Sequence, residues 1–321
     1  MMHNSIFYKK TIAASWPGMA FATLLFCTVT TVDADNQHIC SSVASTTFKA
    51  CKADILDDFL IQKAKCQNTD DRHAARECIY EAKLQHHEDR ELCREQKEVR
   101  KVICDALGES AYAPIIDPAH FMSPEEIAVN PNPYFPLIPG LVRVLQSGDE
   151  TITVTVTTDT VEILGVTCIV VRDTVEEDGE LIEDTFDWYA QDYDGNVWYF
   201  GELSMNYEDG QLNNLDGSWK AGVDGAQPGI VMKGNPQVGD IYRQEYAIGE
   251  AEDMGEIISI TETSEKTPGA DCSGTCLVTR DFLPIEPDAV ELKYFAPGIG
   301  NILVIDNESG NREELIEVIK P

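Results

Sequence analysis

Six cysteines constrain this chain more than any other feature. Cys40, Cys51, Cys66, Cys78, Cys93 and Cys104 follow one another at separations of 11, 15, 12, 15 and 11 residues, a series that reads the same in both directions. The stretch around them is rich in Ala, Glu, Lys, Arg and Gln, with no Pro or Gly before Gly108. At 100° per residue, Cys40, Cys51 and Cys66 fall at 0°, about 20° and about 80°, one face of a helix, and the second trio mirrors them. Two antiparallel helices turning near Asn68 to His73 set Cys66 opposite Cys78, Cys51 opposite Cys93 and Cys40 opposite Cys104. Six cysteines allow 15 connectivities. Sequence alone does not choose among them; the nested set is favoured, because the other pairings need one helix to fold back or slide by more than the Cα separation of about 4.4 to 6.8 Å that a disulfide tolerates. A zinc site would want short C-x2-C pairs, which are absent. Other apolar positions here are too sparse for an independent core, so the bridges, worth about 2–4 kcal/mol each, supply what burial does not. His86 and His87 point about 100° apart on a helix and do not share an ion readily.

The rest of the chain obeys different physics. Residues 113–139 hold seven of the fifteen prolines, which precludes a long helix or a central strand and reads as a linker with one helical turn at "SPEEIA". After it the period changes to two: "ETITVTVTTD", "TCIVVRDTV", "IYRQEYAI", "EIISITET", "VELKYFA", "NILVID" and "EELIEVI" are strand-length runs. "EEDGE", "DYDGN", "YEDGQ" and "NESGN" supply the turns. The expected fold is mainly β. An antiparallel meander of about nine to twelve strands, closed as a barrel, stacked as a sandwich or curved as a single sheet, follows a disulfide-linked α-helical hairpin.

Four regions follow: a signal peptide over 1–34, the hairpin over 35–112, the proline-rich linker over 113–139 and an acidic β domain over 140–321. The leader rests on Lys9 and Lys10, the apolar run "MAFATLLFCTVTTV" and Val32-Asp33-Ala34 before Asp35. Its apolar run is shorter than the ~20 residues of a membrane span, so the expectation is a secreted or periplasmic chain. The formal charge is −32, which repels phosphate backbones, excludes nucleic acid as a partner and leaves cations as natural small partners. The acid is concentrated after residue 140, with 37 acidic against 10 basic side chains; the hairpin region is nearly neutral.

Candidate site residues centre on "DWYAQDYDGNVWYFGE", 187–202. Asp192, Asp194 and Asn196 have the i, i+2, i+4 oxygen spacing of a calcium loop, although Gly195 comes one step early and residue 203 is Leu rather than a bidentate Glu. The same residues also make an ordinary turn between two strands. Trp188, Tyr189, Trp198 and Tyr199 form a candidate stacking platform for a glycan, or else core aromatics. Lys220 and Lys233 flank the Gly- and Pro-rich stretch 218–240, a candidate binding loop, as possible grips for a carboxylate. No histidine follows His120, so a Ser-His-Asp triad confined to the β domain is excluded. A carboxylate pair acting on a glycosidic bond stays open. Of the last cysteines, Cys272 could bridge to Cys276, or Cys276 to Cys168.

The phrases "DTVEEDGELIEDTFDWYAQDYDGNVWYFGE", "GSWKAGVDGAQPGIVM", "VGDIYRQEY" and "KYFAPGIG" resemble a widespread group of uncharacterised secreted bacterial proteins, over about residues 133–318. The shared wording is DWYAQD-x-DGNVWY, AGVDGAQPGI and Y-x-APG-x-G. The resemblance implies one exported β domain and carries no activity; the cysteine hairpin lies outside it. Two functions are expected from these residues. One is an exported, non-enzymatic binding protein, calcium-dependent in one version, whose hairpin contacts a protein partner. The other is an extracellular carbohydrate-binding or carbohydrate-active protein.

Overall fold

The computed structural model describes residues 38–262 and 266–321. The expected leader lies outside the described residues. Two helices, α1 (Ile39–Gln67) and α2 (Arg72–Leu107), form the hairpin. Asp71 caps α2 by accepting hydrogen bonds from the backbone N–H groups of His73 and Ala74, and Gly108 at φ +91° ends it. The ladder is the nested one: Cys40–Cys104, Cys51–Cys93 and Cys66–Cys78 are bonded, with Cα separations of 5.6, 5.9 and 5.6 Å. Along the hairpin little besides cysteine is buried: Ala44, Ala82, Arg100 and Ile103. The bridges therefore stand where a core would. His86 accordingly has a structural role, stacked on Phe59 with its Nδ1 3.1 Å from the Ile55 carbonyl oxygen.

Residues 113–139 behave differently from a spacer. A short helix, α3 (Pro124–Val129), starts with Pro124 in its first turn and a capping box between Ser123 and Glu126. Met122, Ile127 and Leu137 are buried in the main apolar cluster of the β region. The prolines fix the path of a strap packed on the sheet; they do not hold two bodies apart.

Strands β1 (Val142–Ser147), β2 (Glu150–Ile163), β3 (Val166–Glu177), β4 (Glu180–Gln191) and β5 (Val197–Glu208) run as an antiparallel meander. Two-residue turns with positive φ at both positions, Leu164-Gly165 and Asp178-Gly179, join β2 to β3 and β3 to β4. Then come β6 (Gln211–Asn214), β7 (Trp219–Lys220), β8 (Gln227–Met232), β9 (Ile241–Arg243), β10 (Glu245–Tyr246) and β11 (Met254–Glu262). The last four are β12 (Cys276–Phe282), β13 (Val290–Ala296), β14 (Gly300–Asp306) and β15 (Arg312–Ile319). Neighbours run in the order β10-β8-β5-β4-β3-β2-β1-β15-β14-β13-β12-β11-β9, with β6 and β7 beside β5.

The two ends of that path, β10 and β9, are separated by Gln244 alone, so one segment, 241–246, meets both edges and nearly closes the sheet into a barrel. At this seam Gln244 and Glu245 both donate backbone N–H to the Asp253 carbonyl, two residues against one. This bulge splits the expected strand "IYRQEYAI" in two. The stretch 218–240, expected as a long loop, contributes β7 and β8 to the wall. Gly229 makes that possible, because a Cβ there would lie 2.2 Å from the Gln244 carbonyl oxygen.

The hairpin rests on the seam. Arg100 donates from Nε and Nη2 to Glu252 Oε2 and Oε1 at 2.9 and 2.6 Å, with both side chains almost fully buried. Arg243 lies over the Tyr246 ring at 4.6 Å and the Tyr112 ring at 5.4 Å. Gln96 also donates to the Ile285 carbonyl. Cys272 bonds to Cys276, and Cys168 is a buried free thiol whose pKa burial pushes upward.

Candidate functional site

A cavity of about 330 Å³ lies inside the barrel, lined from β1 to β5, the seam and β12 to β15. The size is that of a small-molecule site. β4 presents Glu183, Thr185, Asp187 and Tyr189, every second residue, to it. β3 adds Val171 and Asp173, and β5 adds Tyr199 and Glu202. Tyr199 and Glu202 are an odd number of residues apart, and a bulge explains how both point inward. Tyr189 pairs with Tyr199 and Asp187 with Glu202, so Trp188 alone faces two residues, Phe200 and Gly201. Gly201 sits at φ +127°, and a Cβ on it would lie 2.3 Å from the Trp219 carbonyl oxygen. Glycine is thus required where the chain turns Glu202 towards the cavity, opposite Asp187.

The remaining wall carries Glu245 and Asp253 at the seam, Asp281 on β12, Lys293 on β13 and Glu313 on β15, with Arg143 on β1. Eight carboxyl groups face two cations. Val154, Val171, Phe135 and Phe295 fill the spaces between them.

Burial sets the protonation of this wall. Asp187 is buried, its Oδ1 accepting from the Tyr199 hydroxyl at 2.5 Å, and burial pushes its pKa up to about 7 against that hydrogen bond. Burial, and then the nearby Asp187, raise Glu202 to about 8. Burial also raises Glu245, Asp253 and Asp173, and Glu245 and Asp253 share a hydrogen bond. Burial opposes the charge on Lys293, yet Asp281, Glu291 and Asp253 hold its pKa above the usual lysine value. Lys293 Nζ lies 3.4 Å from Asp281 Oδ2 and 3.2 Å from Glu291 Oε2. Asp281 Oδ2 also accepts from Gln244 Nε2, whereas Asp281 Oδ1 and Asp173 Oδ1 are buried with no hydrogen-bond partner.

The residues singled out from sequence are not gathered at one place. Asp192 is 3% exposed and closes the turn: Oδ1 accepts from the Asn196 backbone N–H, and Oδ2 from Asn196 Nδ2 and Trp198 Nε1, each at 2.8 Å. Asn196 Oδ1 accepts from the Gly234 N–H, and Asp194 lies 3.1 Å from His120 Nε2. His120, Asp192 and Asp194 bring ligand atoms within 4.8 Å of one another on the outside of the barrel, the one such trio among the described residues. The four aromatics divide. Tyr189 and Tyr199 stack on each other in the cavity with centroids 4.5 Å apart. Trp198 packs on Phe121 of the strap. Trp188 faces an outer groove, with Lys220 Nζ 5.7 Å from its ring centre. Glu202 borders both the groove and the cavity. Lys233 is ion-paired with Asp240 at 3.1 Å, away from Lys220.

Sequence reasoning missed the inward acids. The available signal was the i, i+2 series Glu183, Thr185, Asp187, polar on the face opposite Phe186 and Trp188. No protein-family model, curated protein or solved structure matches the chain.

Proposed function

We propose that this chain is an exported, non-enzymatic binding protein that holds a small molecule inside its barrel. One observation carries the reading: a cavity of about 330 Å³ within the sheet, walled by eight carboxyl groups against two cations, with the buried Oδ1 atoms of Asp173 and Asp281 in that wall left without hydrogen-bond partners. Unpartnered buried polar atoms cost about 1–3 kcal/mol each, a cost that a complementary ligand removes. Four disulfides in one chain support export, since such bonds persist in oxidising compartments. Native mass spectrometry of the chain recovered from a bacterial periplasm tests the binding reading. Wild type is expected to carry a small-molecule adduct that is lost in Thr185→Trp, which fills the cavity. Equal occupancy in the two would contradict it.

A second reading has its own support. Asp187 and Glu202 face each other across β4 and β5, both shifted towards neutrality, and Glu202 adjoins the groove that holds Trp188. This arrangement suits acid–base work on a glycosidic bond. Release of reducing ends from a soluble glycan, abolished by both Asp187→Asn and Glu202→Gln, would select this reading over binding alone.

A further inference from the structure

The cavity wall says what kind of molecule it would take, an inference that rests on reading the cavity as a ligand site. Its carboxyl groups outnumber its cations and burial favours their neutral form, so an entering cation gains by drawing out their charge, which an anion or a neutral ligand does not. A single divalent ion needs several oxygens converging on one point. The cavity acids do not converge: among the described residues the one trio of ligand atoms within 4.8 Å is the outer one at His120, Asp192 and Asp194. They line the wall in pairs, Asp187 opposite Glu202 and Glu245 hydrogen-bonded to Asp253, and singly at Asp173, Glu183, Asp281 and Glu313, with Val154, Val171 and Phe295 among them. Separate carboxyl sites that an ammonium group can ionise, joined by apolar surface, match separate ammonium groups joined by methylenes.

The wall already contains one such contact. Lys293 brings its ammonium between Asp281 and Glu291, using Asp281 Oδ2 and leaving Oδ1 without a partner. Asp173, across the barrel on β3, has a second partnerless buried oxygen. We infer that the cavity binds a linear oligoamine, whose ammonium groups pair with Asp281 and Asp173 and whose methylenes lie on the apolar wall. Binding ionises wall carboxyls that are protonated beforehand, so protons leave as the amine enters.

Calorimetric titration of spermidine into the disulfide-intact chain at pH 8 and low salt tests this, run in two buffers of different ionisation enthalpy. The expected result is one saturable site with a buffer-dependent heat reporting released protons. Affinity should fall at least tenfold in Asp281→Asn and in Asp173→Asn, each first checked for a cooperative melt. Calcium chloride and the neutral chain tetraethylene glycol are the comparison ligands. Saturation by calcium in place of spermidine, or equal spermidine affinity in wild type and both variants, overturns the oligoamine. So does absence of spermidine binding. Binding of tetraethylene glycol without spermidine removes the oligoamine while keeping the cavity as a ligand site. The adduct comparison with Thr185→Trp decides separately whether the cavity binds anything.

Discussion

Asp187 and Glu202 show what a buried acid costs and why a chain would keep it. Both hold a proton in the folded state to a higher pH than in the unfolded chain, where carboxyls titrate near 4. Their folded values are about 7 and about 8. Between about pH 4 and pH 8 the folded state binds more protons, so stability falls as the pH rises through that window. Asp187→Asn and Glu202→Gln, which mimic the neutral form, are therefore expected to raise stability at pH 8 by about 1–3 kcal/mol. At pH 4 they should change little. Urea melts at the two pH values check this. A stabilising substitution at such a site implies that the native residue is retained for something other than stability. These acids were hard to see in the sequence because 56 acidic residues hide eight, and because Gly201 shifts the inward register by one residue just before Glu202. Asp192 was conspicuous for a plainer reason: it nucleates a turn, and turn residues resemble cation ligands.

At the level of elements, the hairpin, the strap and the seam act together. Mirror spacing in the cysteines dictated the ladder because disulfide geometry leaves two rigid helices one nested solution. Asp178-Gly179 was legible for a similar reason, since a two-residue turn with positive φ at both positions wants that pair. The closing seam was not legible: nothing local in "IYRQEYAI" says that it pairs with β11 on one side and β8 on the other. Nor does the proline pattern of 113–139 distinguish a packed strap from a spacer. Arg100 and Glu252 tie α2 to the chain just after the seam. Removing one partner of a buried pair leaves a buried charge, so Arg100→Met is expected to cost about 3–5 kcal/mol. Arg100→Met with Glu252→Gln should recover a large part of that loss, and a double-mutant cycle measured by urea melts checks it. A loss below about 1 kcal/mol would mean the hairpin is not anchored there.

For the whole molecule, charge and shape have one explanation. A barrel nearly closed by one segment encloses a space too large for its side chains to fill, and the chain lines that space with acids. The nearly neutral, disulfide-held hairpin sits outside, over the seam where the wall is built from the short strands β9 and β10. On the proposed reading the barrel encloses an acidic cavity for a ligand beside its packed apolar clusters. The most direct test is a pH titration of side-chain carboxyl carbons by NMR on the chain labelled at Asp and Glu. Two resonances with midpoints near 7 and 8, absent in Asp187→Asn and Glu202→Gln respectively and moved to lower pH by spermidine, are expected. Carboxyls that all titrate below about pH 5 and do not respond to spermidine would contradict the claim.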